Sequence, residues 1–563
     1  MRGEASRSLA NPTLIVSVPL TPSWVPLESP VSRRALFLPL CALLACAHTQ
    51  PTSPPQTPAS VVISPEATAA MTRAWMAQND GDAAKGHAEL RQVWDAGHQF
   101  EEVARGAADM AAASGDTVMA MTWLERALDK GLSNPGGLLH AEALAPLRTL
   151  PGYDALVVRA RKNALEARRT WGVGAGLERS SPKEAGLSEP ALEDLLKAAE
   201  KSGSAGLVLL RHGKLVGEWY FGGETHRIEA MSATKGMVAL AIGLLIDEGK
   251  IPSVDTPVSA FFPEWKDGLK GKVTLKHLLN HTSGLASKRT AFDIYESKDF
   301  VRYALDSEVV DEPGSKHAYN NKATNLIAGI VERASGEKMD VYLARKLFTP
   351  LGIRDFRWDK DPSGNPVGMA GLQLHPVDFA KVGQMLLQGG TWQGKRILSA
   401  SYIQALGGAP SQPHTPTAGL LWWLIYEEGM SVTLGTDALE QARRNGFPEA
   451  PLARLREIAD RPIPQGAFFA TFVEKLGDAS LLTAFMEKSA PHNFKQHVEG
   501  PPSGFAAIGQ GGQRVLVLPK YDLVAVRMSD SDGRVPEDVL EFSEFTGKVL
   551  GLVRPAPAAP TAR

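Results

Sequence analysis

Ser232-Ala233-Thr234-Lys235 sets a hydroxyl and an amine three residues apart at the head of an apolar run, Gly236 to Ile246. Positions i and i+3 share one helix face, so the lysine stem lies beside the serine. A helix N-terminus aims backbone N–H groups and the positive end of its dipole at the same spot. Serine is a poor nucleophile at neutral pH until an adjacent base takes its proton. The spacing therefore predicts an activated nucleophile. The run from Gly236 to Ile246 carries no polar side chain, which predicts a helix buried on most sides and a Ser–Lys pair held still.

The S-x-x-K pattern alone is not specific, because Ser180–Lys183 and Ser335–Lys338 also match it. The first lies in a polar approach to a helix. The second contains Gly336, which reads as a helix stop. Both are read as turns, and only Ser232 leads an apolar helix. Taken by itself, Ser232 reads equally well as an N-cap.

Further support lies downstream. Tyr319-Asn320-Asn321 precedes an apolar helix containing Leu326, Ile327, Ile330 and Val331. A lysine ammonium lowers the pKa of a nearby phenol, so Tyr319 is expected to take the serine proton and return it to a leaving group. A tyrosine stacked at a turn is the plainer alternative. Gly509-Gln510-Gly511-Gly512-Gln513 leads into the strand Arg514 to Leu518. Glycines on a strand edge allow a ligand to approach the backbone. An N–H there could complete an oxyanion hole with that of Ser232, and a tight hairpin turn is the alternative.

In this order the segments resemble the serine β-lactamase and penicillin-recognising superfamily, specifically the class C β-lactamase-related branch of esterases, D-aminopeptidases and nylon-oligomer hydrolases. The resemblance covers roughly residues 175 to 552. It includes His281-Thr282-Ser283-Gly284-Leu285 after Leu278-Leu279-Asn280, and Pro350-Leu351-Gly352-Ile353. It also includes Gly371-Leu372 with Asp378-Phe379-Ala380-Lys381, and Gly419-Leu420-Leu421-Trp422-Trp423. It implies an acylated Ser232, proton transfer by Lys235 and Tyr319, and substrate contact by Asn321. The implied fold is α/β (α+β), β-lactamase/transpeptidase-like. It has an antiparallel sheet flanked by helices and an all-helical subdomain, with the serine between the halves.

One departure bears on substrate. Penicillin-binding members carry K-[ST]-G or H-x-G on the C-terminal strand, where this chain has Gly509-Gln510-Gly511. The one K-S-G, Lys201-Ser202-Gly203, lies upstream of the nucleophile and reads as a loop. Neutral Gln510 removes an anchor for a substrate carboxylate. The G-x-G-G-Q form is similar to the esterase and nylon-hydrolase branch, with the backbone of Gln510 and Gly511 as the candidate second oxyanion site.

Length and composition bound the rest. A chain of 563 residues is too long for one core and implies two domains plus a tail. A net charge of −2 argues against a nucleic-acid partner. No phosphate-binding glycine loop, zinc-protease helix or paired-cysteine metal motif appears, so no cofactor and no metal are indicated. Arg33-Arg34 precedes the apolar stretch Ala35 to Ala45, the pattern of a secretory signal. Leu43-Leu44-Ala45-Cys46 resembles a bacterial lipobox, which makes residues 1–46 a leader and Cys46 the lipidated first residue. A plain signal peptide is the alternative. The implied location is the cell envelope, as a lipoprotein facing the periplasm. Ala47, where an acidic residue is absent, resembles outer-membrane sorting. The first 30 residues look unlike a leader, and a start at Val31 would make a conventional one.

Residues 47–60 are rich in Pro, Thr, Ser and Gln and read as a tether. Residues 61–170 read as helical, one helix starting near Ala70 and Trp75 and another marked by Leu90 and Trp94. Met119 to Gly131 resembles half of a tetratricopeptide-type repeat, although the full pattern is incomplete. A module for a protein partner and a helical spacer are both open readings. The hydrolase-like region spans 171–555. Within it, Gly206 to Tyr220 reads as a hairpin about His212-Gly213, Leu523 to Met528 as a strand, and Pro536 to Leu552 as the last helix. Residues 425–500 are an insertion with helices near Thr436–Arg444, Leu452–Ala459 and Ser480–Lys488. They read as a surface decoration or as a lid.

The leading expectation is a lipid-anchored serine hydrolase acting through an acyl-enzyme on an ester or amide. The alternatives are a β-lactamase or D-Ala-type peptidase, a non-catalytic envelope binding protein of the penicillin-binding fold, and a helical-repeat envelope scaffold.

Overall fold

Successive side chains of a strand point to opposite faces, and the first long strand, Ser204–Arg211, is apolar on both. Leu207 and Leu209 join one core while Val208 and Leu210 join another. Such a strand needs cover on each side, and the computed structural model provides it. The structure describes residues 64–286, 291–427, 430–478, 480–489, 494–530 and 535–553.

Ser204–Arg211 turns at His212-Gly213 into Lys214–Tyr220, the expected hairpin. A six-stranded antiparallel sheet follows the order Lys214–Tyr220, Ser204–Arg211, Leu523–Ser529, Gln513–Leu518, Gly504–Gly509, Trp423–Ile425. This hairpin thus pairs directly with Leu523–Ser529, the last strand among the described residues. One face is covered by helices Glu189–Lys201 and Phe545–Gly551, through Leu192, Leu195, Phe545 and Val549. The other is covered by Thr234–Asp247 and Pro376–Leu387, through Met237, Val238, Phe379 and Val382. Every residue from Thr234 to Leu245 is buried, as its unbroken apolarity implies.

The C-terminal helix expected over Pro536 to Leu552 is two short ones, Glu537–Leu540 and Phe545–Gly551. Phe542 between them adopts a left-handed backbone, φ 42°. The break lets Glu541 reach the Gln510–Gly512 turn, where its Oε1 accepts the Gly511 N–H at 2.7 Å.

The N-terminal region is helical as expected: Pro65–Asn79, Ala83–Asp95, Glu101–Ala113, Thr117–Asp129, Pro135–His140 and Tyr153–Trp171. Ser64, Asp82, Asp116 and Asn134 cap four of these with side-chain oxygens. Leu90, Val103, Met110, Trp123 and Leu144 form its core.

Residues Glu428–Gly500 form a separate compact unit. Helix Thr436–Arg444 lies where expected, the next covers Glu449–Leu455, and the last covers Leu481–Lys488. Helix Gln465–Leu476 and a three-stranded sheet of Ile463–Pro464, Met430–Leu434 and Phe494–Val498 are additional. Leu439, Leu452, Phe468, Phe472 and Phe485 make its core. Among the described residues no helix is long and apolar enough to cross a membrane.

Candidate active site

A three-stranded sheet of Phe356–Trp358, Leu372–Leu374 and Ile228–Glu229 delivers the chain to the nucleophile. The Ala230 N–H donates to Leu372 O at 2.8 Å. Met231 then takes a left-handed backbone, φ 49°, and the 3-10 turn Met231–Ala233 feeds the helix at Thr234. Ser232 is half-buried at that junction. Lys235 Nζ donates to Ser232 Oγ at 3.0 Å and to Met369 O at 2.6 Å. Burial lowers the Lys235 pKa to about 7, because a dry site disfavours the charged amine.

Tyr319 OH donates to the same Ser232 Oγ at 2.9 Å. Its pKa is not lowered, as the neighbouring lysine suggested, but pushed up to about 12. Burial outweighs the hydrogen bond to Ser232, and a lysine that is itself buried toward neutrality offers little charge to favour a phenolate. Burial thus favours the neutral amine on Lys235 and the protonated phenol on Tyr319.

The cleft around these atoms, about 310 Å³ out to its mouth, is lined by Ser232, Lys235, Asn280, His281, Tyr319 and Ile508 and by the segment holding Ala418, Gly419 and Leu421 to Trp423. Trp422 Nε1 donates to Gly236 O at 3.2 Å, which fastens this wall to the nucleophile's helix. Asn280 Nδ2 donates to Ser411 O at 3.3 Å. Met231, His281 and Leu421 all hold positive φ, at 49°, 55° and 59°. Strained non-glycine backbone of this kind persists only where the surroundings over-determine it.

Ser232, Lys235 and Tyr319 are thus brought together. Asn321 is not among the residues lining the cleft. It is the first residue of helix Asn321–Ser335, with Oδ1 buried and no hydrogen-bond partner among the described residues. Gln510 is exposed in the turn Gln510–Gly512. Gly511 is committed elsewhere. Its N–H is held by Glu541, and its carbonyl accepts from Arg527 Nη1 at 2.7 Å, so it fixes the turn and does not offer an oxyanion donor. Gly509 makes the close approach instead. A Cβ there would lie 2.3 Å from Ala230 O and 3.0 Å from Ala233 N. Only a glycine lets this strand press its backbone onto the nucleophile's turn. Cys46 lies outside the described residues.

Several positioning residues were not apparent from sequence. Arg227, immediately before the strand that feeds Ser232, pairs with Asp355 and, at 3.2 Å, with Glu101 of the N-terminal helical region. Glu102 pairs with Arg357 on the edge strand Phe356–Trp358 of the same small sheet. His375 Nε2 lies 2.9 Å from Asp355 Oδ2. Burial opposes charge on Asp355, but Arg227 and His375 outweigh it and hold the carboxyl well below the usual range. Ion pairs between residues so distant in sequence carry no local signal. His281 and Trp422 stand in recognisable motifs, but without a stated role. Among the described residues no His, Cys, Asp and Glu cluster could hold a metal.

A buried antiparallel sheet, a serine in the tight turn that feeds an apolar helix, and an amine and a phenol on its oxygen define a β-lactamase-type site. The chain belongs to the Beta-lactamase family, whose model matches residues 191–543. It is 31% identical over 144 residues to Esterase EstB of Burkholderia gladioli, covering 22% of this chain and 36% of that protein. It is 25% identical over 238 residues to the 6-aminohexanoate-dimer hydrolase of Paenarthrobacter ureafaciens, covering 38% and 60%. The matched stretches therefore span about a third to three-fifths of these relatives. A solved penicillin-binding protein homologue from Caulobacter crescentus is 15% identical, with a TM-score of 0.43 over 66% of this chain and 98% of that one.

Proposed function

We propose that this chain is a serine hydrolase that forms an acyl-enzyme on Ser232 and acts on esters or neutral amides. One observation carries the reading. A single oxygen, Ser232 Oγ, is met by Lys235 Nζ at 3.0 Å and Tyr319 OH at 2.9 Å, and burial brings the amine close to neutrality at pH 7.

The chemistry balances within these groups. Neutral Lys235 takes the Ser232 proton as Oγ bonds to the substrate carbonyl carbon. The tetrahedral oxyanion then collapses, and the leaving alkoxide or amine takes the Tyr319 hydroxyl proton as its bond to carbon breaks. The Lys235 ammonium returns its proton to the tyrosine. Water repeats the sequence to release the acid, and Ser232 recovers its proton. General acid–base groups so placed contribute about 10²–10⁴-fold each.

The cleft wall argues for substrate class. Leu421, Trp422, Trp423, Ile508 and Ala418 are apolar. The two basic side chains in the lining, Lys235 and His281, are both shifted toward their neutral forms by burial. Neither suits the carboxylate of a penicillin, and Gln510 brings no cation. The name of one relative, Esterase EstB, agrees with an ester, and that of the other, 6-aminohexanoate-dimer hydrolase, with an amide. A β-lactamase or D-Ala-type peptidase remains the second reading. A fluorophosphonate probe tests the first: labelling of wild type and none of Ser232→Ala is expected, and equal labelling of both would remove the nucleophile. We also propose a lipid anchor at Cys46, supported by Leu43-Leu44-Ala45-Cys46 behind Arg33-Arg34.

A further inference from the structure

His281 touches the tyrosine segment at three successive residues. Its carbonyl accepts the Ala318 N–H at 2.7 Å. Its Nδ1 accepts the Asn320 N–H at 3.1 Å. Its ring lies 4.4 Å from that of Tyr319, centroid to centroid, tilted by 37°. Main chain on both sides of Tyr319, and the phenol itself, are thus held by one residue.

His281 is itself fixed. It follows the helix Leu275–Leu279, which opens with a reciprocal Thr274/His277 cap. The Thr282 N–H donates to His277 O at 2.9 Å, and the Gly314 N–H donates to Thr282 O at 2.7 Å. Asn320 Nδ2 ties the far side to Leu285 O at 2.8 Å. The left-handed backbone at His281, φ 55°, is the cost of turning both its carbonyl and its ring toward one segment.

We propose that His281 is a positioning residue that sets the Tyr319 hydroxyl on Ser232, acting as a neutral imidazole. The role needs a flat side chain that accepts a backbone N–H. Lysine and arginine cannot accept, and asparagine accepts but has no ring. Because Nδ1 is the acceptor, the ring hydrogen of the neutral form sits on Nε2. A second hydrogen on Nδ1 would break the Asn320 bond and place a cation among His317, Lys235 and Tyr319, the titratable groups around it. Burial, then His317 and Lys235, hold its pKa well below the usual value, so the accepting form persists through the working range.

The proposal rests on Tyr319 as the proton-transfer group, and a double-mutant cycle separates the two. Ester hydrolysis is measured for His281→Ala, His281→Asn, Tyr319→Phe and the paired variants, with circular dichroism to confirm folding. Asparagine tolerates the left-handed backbone and keeps an acceptor for Asn320, so it serves as the conservative variant and carries the cycle if the alanine variant does not fold. The expected result for His281→Ala is a fall in kcat of about ten- to a hundredfold with KM within about twofold, the mark of a misplaced reacting group. His281→Asn should recover part of the loss. In the Tyr319→Phe background, either substitution should cost no more than about twofold, since the group it positions is gone. Undiminished kcat in folded His281→Ala, or a full additional loss on top of Tyr319→Phe, would overturn the positioning role. Wild-type turnover in Tyr319→Phe alone would instead refute the proton-transfer reading.

Discussion

Lys235 Nζ and the carbonyl oxygen of Met369 are 2.6 Å apart, and that contact holds the amine at Ser232. A carbonyl can accept from neutral or charged amine alike, so the anchor survives proton transfer. With a pKa of about 7, Lys235 is mostly protonated below neutrality and cannot act as base. The rate kcat/KM on a neutral ester should therefore rise with pH through about 7, roughly tenfold per unit below the midpoint. Tyr319, pushed up to about 12, keeps its proton well above that range and causes no fall on the alkaline side. A pH–rate profile checks this, and a flat profile from about pH 5.5 to 8.5 contradicts a lysine base.

Gly509→Ala should silence the site without touching a reacting group. The new Cβ would press on Ala230 O at 2.3 Å, so either the strand or the nucleophile's turn must shift. A displacement near 1 Å at a reacting atom costs on the order of 10²-fold. Single-turnover acylation measures the loss, while circular dichroism should show the sheet retained. Wild-type acylation would mean the close approach has no functional part.

Nitrocefin and a p-nitrophenyl ester discriminate the substrate classes. The apolar cleft wall favours the ester by a wide margin in kcat/KM. Efficient nitrocefin turnover with negligible esterase activity reverses the reading.

Arg227→Met should destabilise the fold. It strips the buried Asp355 and Glu101 carboxylates of their shared cation, and breaking a buried pair from one side costs about 3–5 kcal/mol. Because Asp355 sits well below its usual pKa when folded, its contribution is present above the unfolded carboxylate range and lost as pH falls below it. The Asp355 share of thermal stability should thus weaken in acid, opposed by Glu101, whose pKa burial raises, and the Asp355 share should shrink in Arg227→Met. An unchanged melting midpoint would show that the network is stabilised by other contacts.

Cys46→Ser should release the protein from the membrane fraction with hydrolysis intact. Fractionation and mass spectrometry of the N-terminus decide it. A membrane-bound serine variant, with no lipid on wild type, would falsify the lipobox assignment.

The parts of this site legible in sequence are those encoded over one helical turn or one motif. Ser232 and Lys235 face each other because they are three residues apart, and the burial of their helix follows from its unbroken apolarity. The hairpin at His212-Gly213 was equally local. The Tyr319 pKa departs from the sequence expectation because sequence reveals a neighbouring lysine but not the dryness that neutralises it. Gly511 looked like an oxyanion donor until Glu541, 30 residues away, took its N–H. That same reach breaks the helix expected over Pro536 to Leu552. The Glu102–Arg357 pair joins residues 255 apart, a separation at which charges leave no periodic trace.

The sheet that carries this site pairs Ser204–Arg211 with Leu523–Ser529, so its centre is stitched from the two ends of the catalytic region. A growing chain cannot complete that pairing until its last strands have been made. The strand carrying Ile508 and Gly509 to the cleft arrives equally late. Long-range pairing of this kind is slow to form, and until it forms the helix behind Ser232 lacks part of its cover. Hydrolytic activity should therefore appear only with the finished fold, which spares the cell a reactive serine on half-made protein.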